Sequence, residues 1–241
     1  MMLKSTDRKE NRMKRTKRIL LVLLLLLVPL CLSGCGRKDG NGPDSGKVFR
    51  KSAVFGRYEQ DNNLNNGKEP IEWIVLDMQG GKYLLVSRYG LDVRPYNKDG
   101  GKSTWRDCSL RKWLNGDFLN NAFTLDEQNA IEVTHVDNIS ADSSGRVYTD
   151  DKVFLLSNAE AGSYRFTDDE ARMCAPTNYA IAQGAEASFI FGTEGQSSGC
   201  WWLRTPMMFV DYDGFRSGDT GNTVSHAVRP ALWVDGSALG N

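Results

Sequence analysis

Two short runs, Gly199-Cys200-Trp201-Trp202-Leu203-Arg204-Thr205-Pro206 and Ala227-Val228-Arg229-Pro230-Ala231-Leu232-Trp233-Val234, decide how this chain folds. Three of the six tryptophans stand in them, and each run is apolar with one arginine and one proline. Both read as strands, with 228–234 the last one. Tryptophan buries a large area and its N–H asks for a partner, so a domain ending on two such strands closes its core with them. Arg204 and Arg229 have two readings. They could grip an anionic ligand, but the favoured reading is structural, each bonded to a carboxylate or to carbonyls, because an unpartnered buried charge is costly.

Working outward, Glu72-Trp73-Ile74-Val75-Leu76-Asp77 and Lys82-Tyr83-Leu84-Leu85-Val86-Ser87 form a hairpin signal across Met78-Gln79-Gly80-Gly81. Residues 88–104 read as a polar, Gly-rich loop. Leu110, Trp113, Leu114 and Phe118 then share one helical face, with Asn115-Gly116 expected to split the segment into two short helices. Thr124 with Glu127, Ser157 with Glu160 and Thr167 with Glu170 have capping-box spacing and predict helix starts. Lys152-Val153-Phe154-Leu155-Leu156-Ser157 reads as a buried strand. Residues 209–217 alternate around Asp213-Gly214, a hairpin-turn dipeptide. This order predicts an α+β fold, mainly antiparallel sheet with short helices beside it. Trp73, Trp113, Trp202, Trp233, Leu155 and Leu203 are its expected core.

The N-terminal part carries an address. Residues 1–18 are basic, and residues 19–30 are nearly pure leucine. Twelve residues at about 1.5 Å each fall short of a hydrocarbon core of about 30 Å, so the pattern is a secretory signal. Leu32-Ser33-Gly34-Cys35 follows and resembles the lipobox of bacterial lipoproteins. That resemblance implies removal of residues 1–34 and diacylation of Cys35, and two acyl chains suffice for stable anchoring. Residues 35–47 then form the lipidated cysteine and a flexible tether, and residues 48–241 a single domain on the extracellular face of the membrane.

Charge adds an exclusion. The chain has 30 basic and 30 acidic residues, but residues 1–35 hold eight basic and two acidic ones, leaving 22 − 28 = −6 for the rest. A mildly acidic body without a basic stripe disfavours nucleic acid.

Arg111-Lys112-Trp113-Leu114-Asn115, Val153-Phe154-Leu155-Leu156-Ser157, Trp201-Trp202-Leu203-Arg204 and Val228-Arg229-Pro230-Ala231-Leu232-Trp233 together resemble an uncharacterised family of bacterial surface domains. That family is similar in turn to C-type-lectin-like and formylglycine-generating-enzyme-like folds. The resemblance implies a C-type-lectin-like fold and no particular reaction.

Chemistry is sparse. His135 and His226 are far apart in sequence and too few for a histidine zinc site. No nucleophile elbow, Walker A pattern or dinucleotide fingerprint occurs. Cys108, Cys174 and Cys200 read as buried small hydrophobes, with one disulfide possible among them. Asp211, Asp213 and Asp219 hint at calcium, but a plain hairpin turn is favoured, and Glu59, Asp61 and Glu69 read as scattered and solvated. No cofactor or metal is expected, and no catalytic residue is assigned. The expected function is ligand recognition by residues 205–227, through Met208, Tyr212, Phe215 and Arg216, with a glycan, peptide or surface protein as ligand. The alternative is an envelope-acting enzyme built from acidic residues or Cys200.

Overall fold

The computed structural model describes residues 52–100, 103–139, 146–164, 166, 168–191, 197–218 and 225–239. The leader, Cys35, the tether, Thr167 and Asp219 lie outside the described residues. The strands are β1 (Ser52–Tyr58), β2 (Glu69–Gln79), β3 (Lys82–Ser87), β4 (Asp92–Pro95), β5 (Thr134–Ile139), β6 (Arg146–Asp151), β7 (Trp201–Trp202), β8 (Met208–Val210), β9 (Arg216–Gly218), β10 (Ser225–Val228) and β11 (Ala231–Asp235). The helices are α1 (Ser109–Trp113), α2 (Leu119–Ala122), α3 (Leu125–Ala130), α4 (Asp169–Arg172) and α5 (Asn178–Ala182). Short helices beside a mostly antiparallel sheet make this an α+β architecture, as expected.

The predicted hairpin is β2–β3. Gln79 faces Lys82, so only Gly80 and Gly81 turn the chain, at φ 57 and 84. Side chains rarely adopt that left-handed backbone, and glycine adopts it freely. β1 pairs with β2 and β11 with β3, giving an antiparallel sheet ordered β1-β2-β3-β11. The second sheet runs β4-β10-β7-β8-β9, and its β10–β7 pair is parallel. A β5–β6 hairpin stands apart.

Several expectations need correction. The run 228–234 is not one strand. β10 ends at Val228, β11 starts at Ala231, and Arg229-Pro230 forms the corner between the two sheets. Proline has no N–H for the ladder, so the run cannot continue in one sheet. The stretch read as a loop contains β4, in which Asp92 and Arg94 alternate with the buried Leu91 and Val93. Residues 152–157 are buried at Val153, Phe154, Leu155 and Leu156, yet their one ladder contact is the Phe154–Ala231 bridge. Leu156 O accepts the Arg204 backbone N–H (2.9 Å), and side chains take other backbone groups. Asn115 Nδ2 donates to Val153 O (2.8 Å), and Arg204 Nη1 donates to Leu155 O (3.0 Å).

Asn115-Gly116 does not split the helix. A π-helical turn at Leu114–Phe118 carries α1 into α2. Asn115 Oδ1 accepts the amides of Lys152 and Val153, so its side chain is committed to the crossing segment and the turn widens around it. The Thr124–Glu127 capping box forms as predicted. The Ser157–Glu160 box also forms, but over a 3₁₀ turn at Glu160–Gly162. Asp168 caps α4, its carboxylate accepting Ala171 N–H. The 209–217 hairpin is β8–β9. Its turn is five residues long, closed by Asp211 N–H to Phe215 O (2.8 Å).

Of the expected core, Trp73, Trp202, Leu155 and Leu203 are fully buried, whereas Trp113 and Trp233 are half-buried. Trp233 stands between Leu232 and Val234 on β11, and alternation turns it to the face those two do not occupy. Both arginines are structural. Arg204 Nη2 donates to Glu160 Oε1 (2.8 Å), Nη1 donates to Glu160 Oε2, and the guanidinium also reaches the carbonyl of Asp137 (3.1 Å). Arg229 Nε donates to Ser87 O (2.9 Å), and Nη1 to Arg172 O (3.4 Å).

Trp73 donates its indole N–H to Phe55 O (2.7 Å). Trp73→Ala is expected to cost about 3–5 kcal/mol and Trp233→Ala roughly half of that, by urea unfolding at neutral pH. The Arg204–Glu160 pair gives a pH dependence. Burial raises the Glu160 pKa, but the hydrogen bonds and charge of Arg204 outweigh it and leave it below its ordinary value. The stability from this pair is therefore present above the unfolded pKa and is lost as pH falls through the folded one. Arg204→Met leaves the half-buried Glu160 without its cation, with the Ser157 amide still donating to it, and is expected to cost about 2–3 kcal/mol at pH 7. The deficit is expected to shrink as pH approaches about 4, where the carboxyl protonates. Unfolding of both proteins across that range checks the sign.

Candidate functional site

A groove opens where β4 meets α1. Arg94 lies near the end of β4 and Trp113 ends α1, and the guanidinium carbon sits 4.5 Å from the indole centre, within cation–π range. Two cavities share Arg94, Trp113 and Asp117. One, of about 550 Å³, is also lined by Asn97, Lys98, Ser109 and Lys112. The other, of about 230 Å³, reaches Tyr58, Asn121 and Tyr179. The larger has the size of a small-ligand site.

The groove wall is fixed from behind. Trp202 donates its indole N–H to Arg94 O (2.8 Å), and Tyr96 packs against Trp202 with ring centres 5.5 Å apart while donating to Arg204 O (2.7 Å). Asp92 is buried, accepting from Tyr58 Oη–H (2.5 Å) and from Val93 N–H (2.7 Å). Burial, then the charge of Asp92, pushes the Tyr58 pKa far up, so the phenol stays a donor. On the other wall, Cys108 Sγ caps α1 by accepting Arg111 N–H, and Arg111 Nε pairs with Asp151 at 2.6 Å. The π-helical turn then presents Asp117 one turn beyond Trp113.

The four residues expected to carry recognition in the 205–227 surface, Met208, Tyr212, Phe215 and Arg216, are all described. Met208 is half-buried against the core. Tyr212 donates its hydroxyl to Glu186 Oε2 (2.6 Å) and stacks on Phe191. Arg216 Nη1 donates to Asn158 O (2.5 Å). Phe215 is exposed, and its amide donates to Asp213 Oδ1 (3.0 Å) in the turn. Gly214 cannot be replaced cheaply there, since a Cβ would lie 1.6 Å from Asp169 O. Asp211 accepts the Tyr212 amide and Asp213 the Phe215 amide, which is hairpin-turn chemistry.

Cys108, Cys174 and Cys200 are free and buried. Cys200 Sγ donates to Asp211 Oδ1 at 3.4 Å. Burial, then the Asp211 charge, pushes its pKa up to about 12, so it is a protonated thiol at neutral pH. His226 is buried against Trp202 and Phe209, whereas His135 is exposed, pairs with Asp150 (2.8 Å) and stacks on Tyr148.

Glu59, Asp61 and Glu69 are not scattered. Their carboxylate oxygens lie within 4.8 Å of one another, a spacing that would suit a cation. Asp61 accepts from Asn63 N–H and Asn66 Nδ2, and Glu69 from Gln60 N–H, so hydrogen bonds inside the 59–69 loop account for much of the cluster. Desolvation and the charge of Glu69 raise the Glu59 pKa, while the Asn66 hydrogen bond lowers that of Asp61. The loop docks beside the groove through Tyr179 N–H to Gln60 O (3.0 Å).

Asp92, Arg94 and Tyr58 went unnoticed in the sequence as site residues, and Trp113 read as core. The available signal was the alternation Leu91-Asp92-Val93-Arg94, hidden in a polar stretch with several glycines. Among the described residues, no helix is long and apolar enough to cross a membrane.

No curated protein and no solved structure matches the chain. A family model described as "Domain of unknown function (DUF6273)" matches residues 80–236, from the β2–β3 turn to the end of β11. The match takes in Arg94, Trp113, Asp117 and Tyr179 and leaves Tyr58 ahead of it. With residues 80–236 of a 241-residue chain matched, the protein belongs to the DUF6273 family.

Proposed function

We propose that this is the recognition domain of a lipid-anchored surface protein, holding its ligand in the Arg94–Trp113 groove without transforming it. The observation that carries the reading is the stacked, half-exposed Arg94–Trp113 pair shared by two adjoining cavities. Aromatic and arginine side chains on a rigid frame are the usual anchors of recognition surfaces. The groove is preferred to the 205–227 surface because Tyr212 and Arg216 already have protein partners there. A glycan unit or short peptide has the right size. The C-type-lectin-like fold that the family resemblance implies would point the same way. The address comes from the basic leader, the short leucine run and Leu-Ser-Gly-Cys35, which together call for diacylation at the extracellular face of the cell membrane.

A second reading has one observation behind it. The carboxylate oxygens of Glu59, Asp61 and Glu69 lie within 4.8 Å of one another, a grouping of acids that could share a proton. An envelope enzyme using them would lose turnover in Glu59→Gln. A thiol enzyme using Cys200 is disfavoured by the buried, protonated state of that sulfur.

Two measurements test the proposal. Cells fed an alkyne fatty acid are expected to label the wild type and not Cys35→Ser, which leaves the membrane fraction. Label retained on Cys35→Ser removes the anchor. On a combined glycan and peptide array, Trp113→Ala is expected to weaken binding by about tenfold or more, while its melting temperature falls no further than that of Trp233→Ala, since both rings are half-buried. The Tyr212→Ala, Arg216→Ala double variant is expected to keep binding. The opposite pattern moves the site to residues 205–227.

A further inference from the structure

We infer that the groove selects ligands carrying a single carboxylate, which docks on the guanidinium of Arg94; this rests on the groove being the binding site. Arg94 is held in place yet left underused. Its backbone carbonyl takes the Trp202 indole N–H, and its guanidinium lies over Trp113 at 4.5 Å. Its side chain is 42% exposed, and its one hydrogen bond is a long one, 3.4 Å to Asp92 Oδ2. Asp92 has better partners in Tyr58 and Val93. A guanidinium has five N–H donors, so most of this one remains uncommitted. The Nε–H is shielded from solvent and has no acceptor among the described residues. A guanidinium held over an indole, partly exposed and with one long hydrogen bond, keeps donors available for the two oxygens of a carboxylate.

Charge around the fork narrows the class. The larger cavity is lined by Arg94, Lys98 and Lys112 and by Asp99, Asp107 and Asp117, so its formal charges sum to 3 − 3 = 0. A neutral lining does not concentrate polyanions such as nucleic acid or a polyphosphate chain. Selection comes from one oriented guanidinium, which suits one carboxylate on an otherwise uncharged ligand. Asp92 tempers the positive charge without consuming the fork, and the exposed part of Trp113 is left for the remainder of the ligand. The carboxylate can belong to a uronic acid or to a peptide C-terminus, since both present the same planar pair of oxygens.

Full-length protein in detergent, titrated calorimetrically, separates these cases. The probes are an oligogalacturonate with its methyl ester, and a short peptide with its C-terminal amide. At least one acid probe is expected to bind about tenfold or more tightly than its neutral partner. Arg94→Gln should erase that preference, so that acid and neutral forms bind within about twofold of each other, and Arg94→Lys should restore only part of it. The pair that shows the preference identifies the source of the carboxylate. Equal binding of acid and neutral forms, with both weakened by Trp113→Ala, overturns carboxylate docking and keeps the groove. A preference that survives Arg94→Gln, or failure of both acids to bind at millimolar concentration, overturns it as well. Binding indifferent to Trp113→Ala overturns the groove reading itself.

Discussion

The guanidinium of Arg229 is buried at the corner between the two sheets with no salt bridge to any described residue, and the rest of the domain is arranged to make that tolerable. Such a cation is expensive to desolvate. Here the rings of Phe166 and Trp201 flank it, at 5.1 and 4.9 Å from the guanidinium carbon, and the carbonyls of Ser87 and Arg172 take its protons. Ser87 ends β3 in the first sheet, Trp201 belongs to β7 in the second, and Arg172 ends α4. One side chain thus joins both sheets and a helix. Burial pulls its pKa below the usual arginine value, as expected for a cation held by rings and carbonyls without a carboxylate.

The same strand carries this constraint to the groove. Neighbouring residues on a strand face opposite ways, and the Trp201-Trp202 pair uses both faces. Trp201 packs on Arg229 and donates its N–H to Arg172 O (3.1 Å). Trp202 packs on Tyr96 and His226 and donates to Arg94 O. β10 completes the link, since His226 faces Arg94 across the β10–β4 ladder just before the chain reaches Arg229. The wall of the groove and the corner of the fold are therefore one piece of structure. Loops can vary around such a frame without displacing Arg94.

What the sequence revealed followed local chemistry. Gly80-Gly81 predicted the hairpin because only a left-handed turn joins β2 to β3 in two residues. Thr124 and Glu127 predicted their cap because both groups are local. The errors share a different cause. Residues 153–156 have strand composition, but the donors and acceptors that satisfy them come from Asn115 and Arg204, distant in sequence. The split of 228–234 depends on which sheet each half joins, and periodicity carries no such information. Asp92 and Arg94 look like loop residues until Tyr58, many residues upstream, is known to meet Asp92. Apart from these errors, composition alone does not report that Tyr212 in the 205–227 surface bonds Glu186 and Arg216 bonds Asn158.

Where a chain breaks its own local rules, function or strain is the usual reason, and the groove holds two such breaks side by side. Trp113 occupies a core position of the helical pattern yet remains half-exposed. Arg94 follows a buried residue on a strand yet leaves most of its donors unpaired. Neither is what stability alone would select: a fully buried indole contributes more apolar area, and a carboxylate closer than the 3.4 Å of Asp92 would satisfy the guanidinium better. The neighbouring arginines sharpen the contrast. Arg204 is paired twice to Glu160, and Arg172 bonds the carbonyls of Gly214 and Phe166 as well as Asp169. In a domain that commits its buried arginines so fully, the half-exposed Arg94 beside the half-buried Trp113 is the contrast on which the proposed ligand site rests.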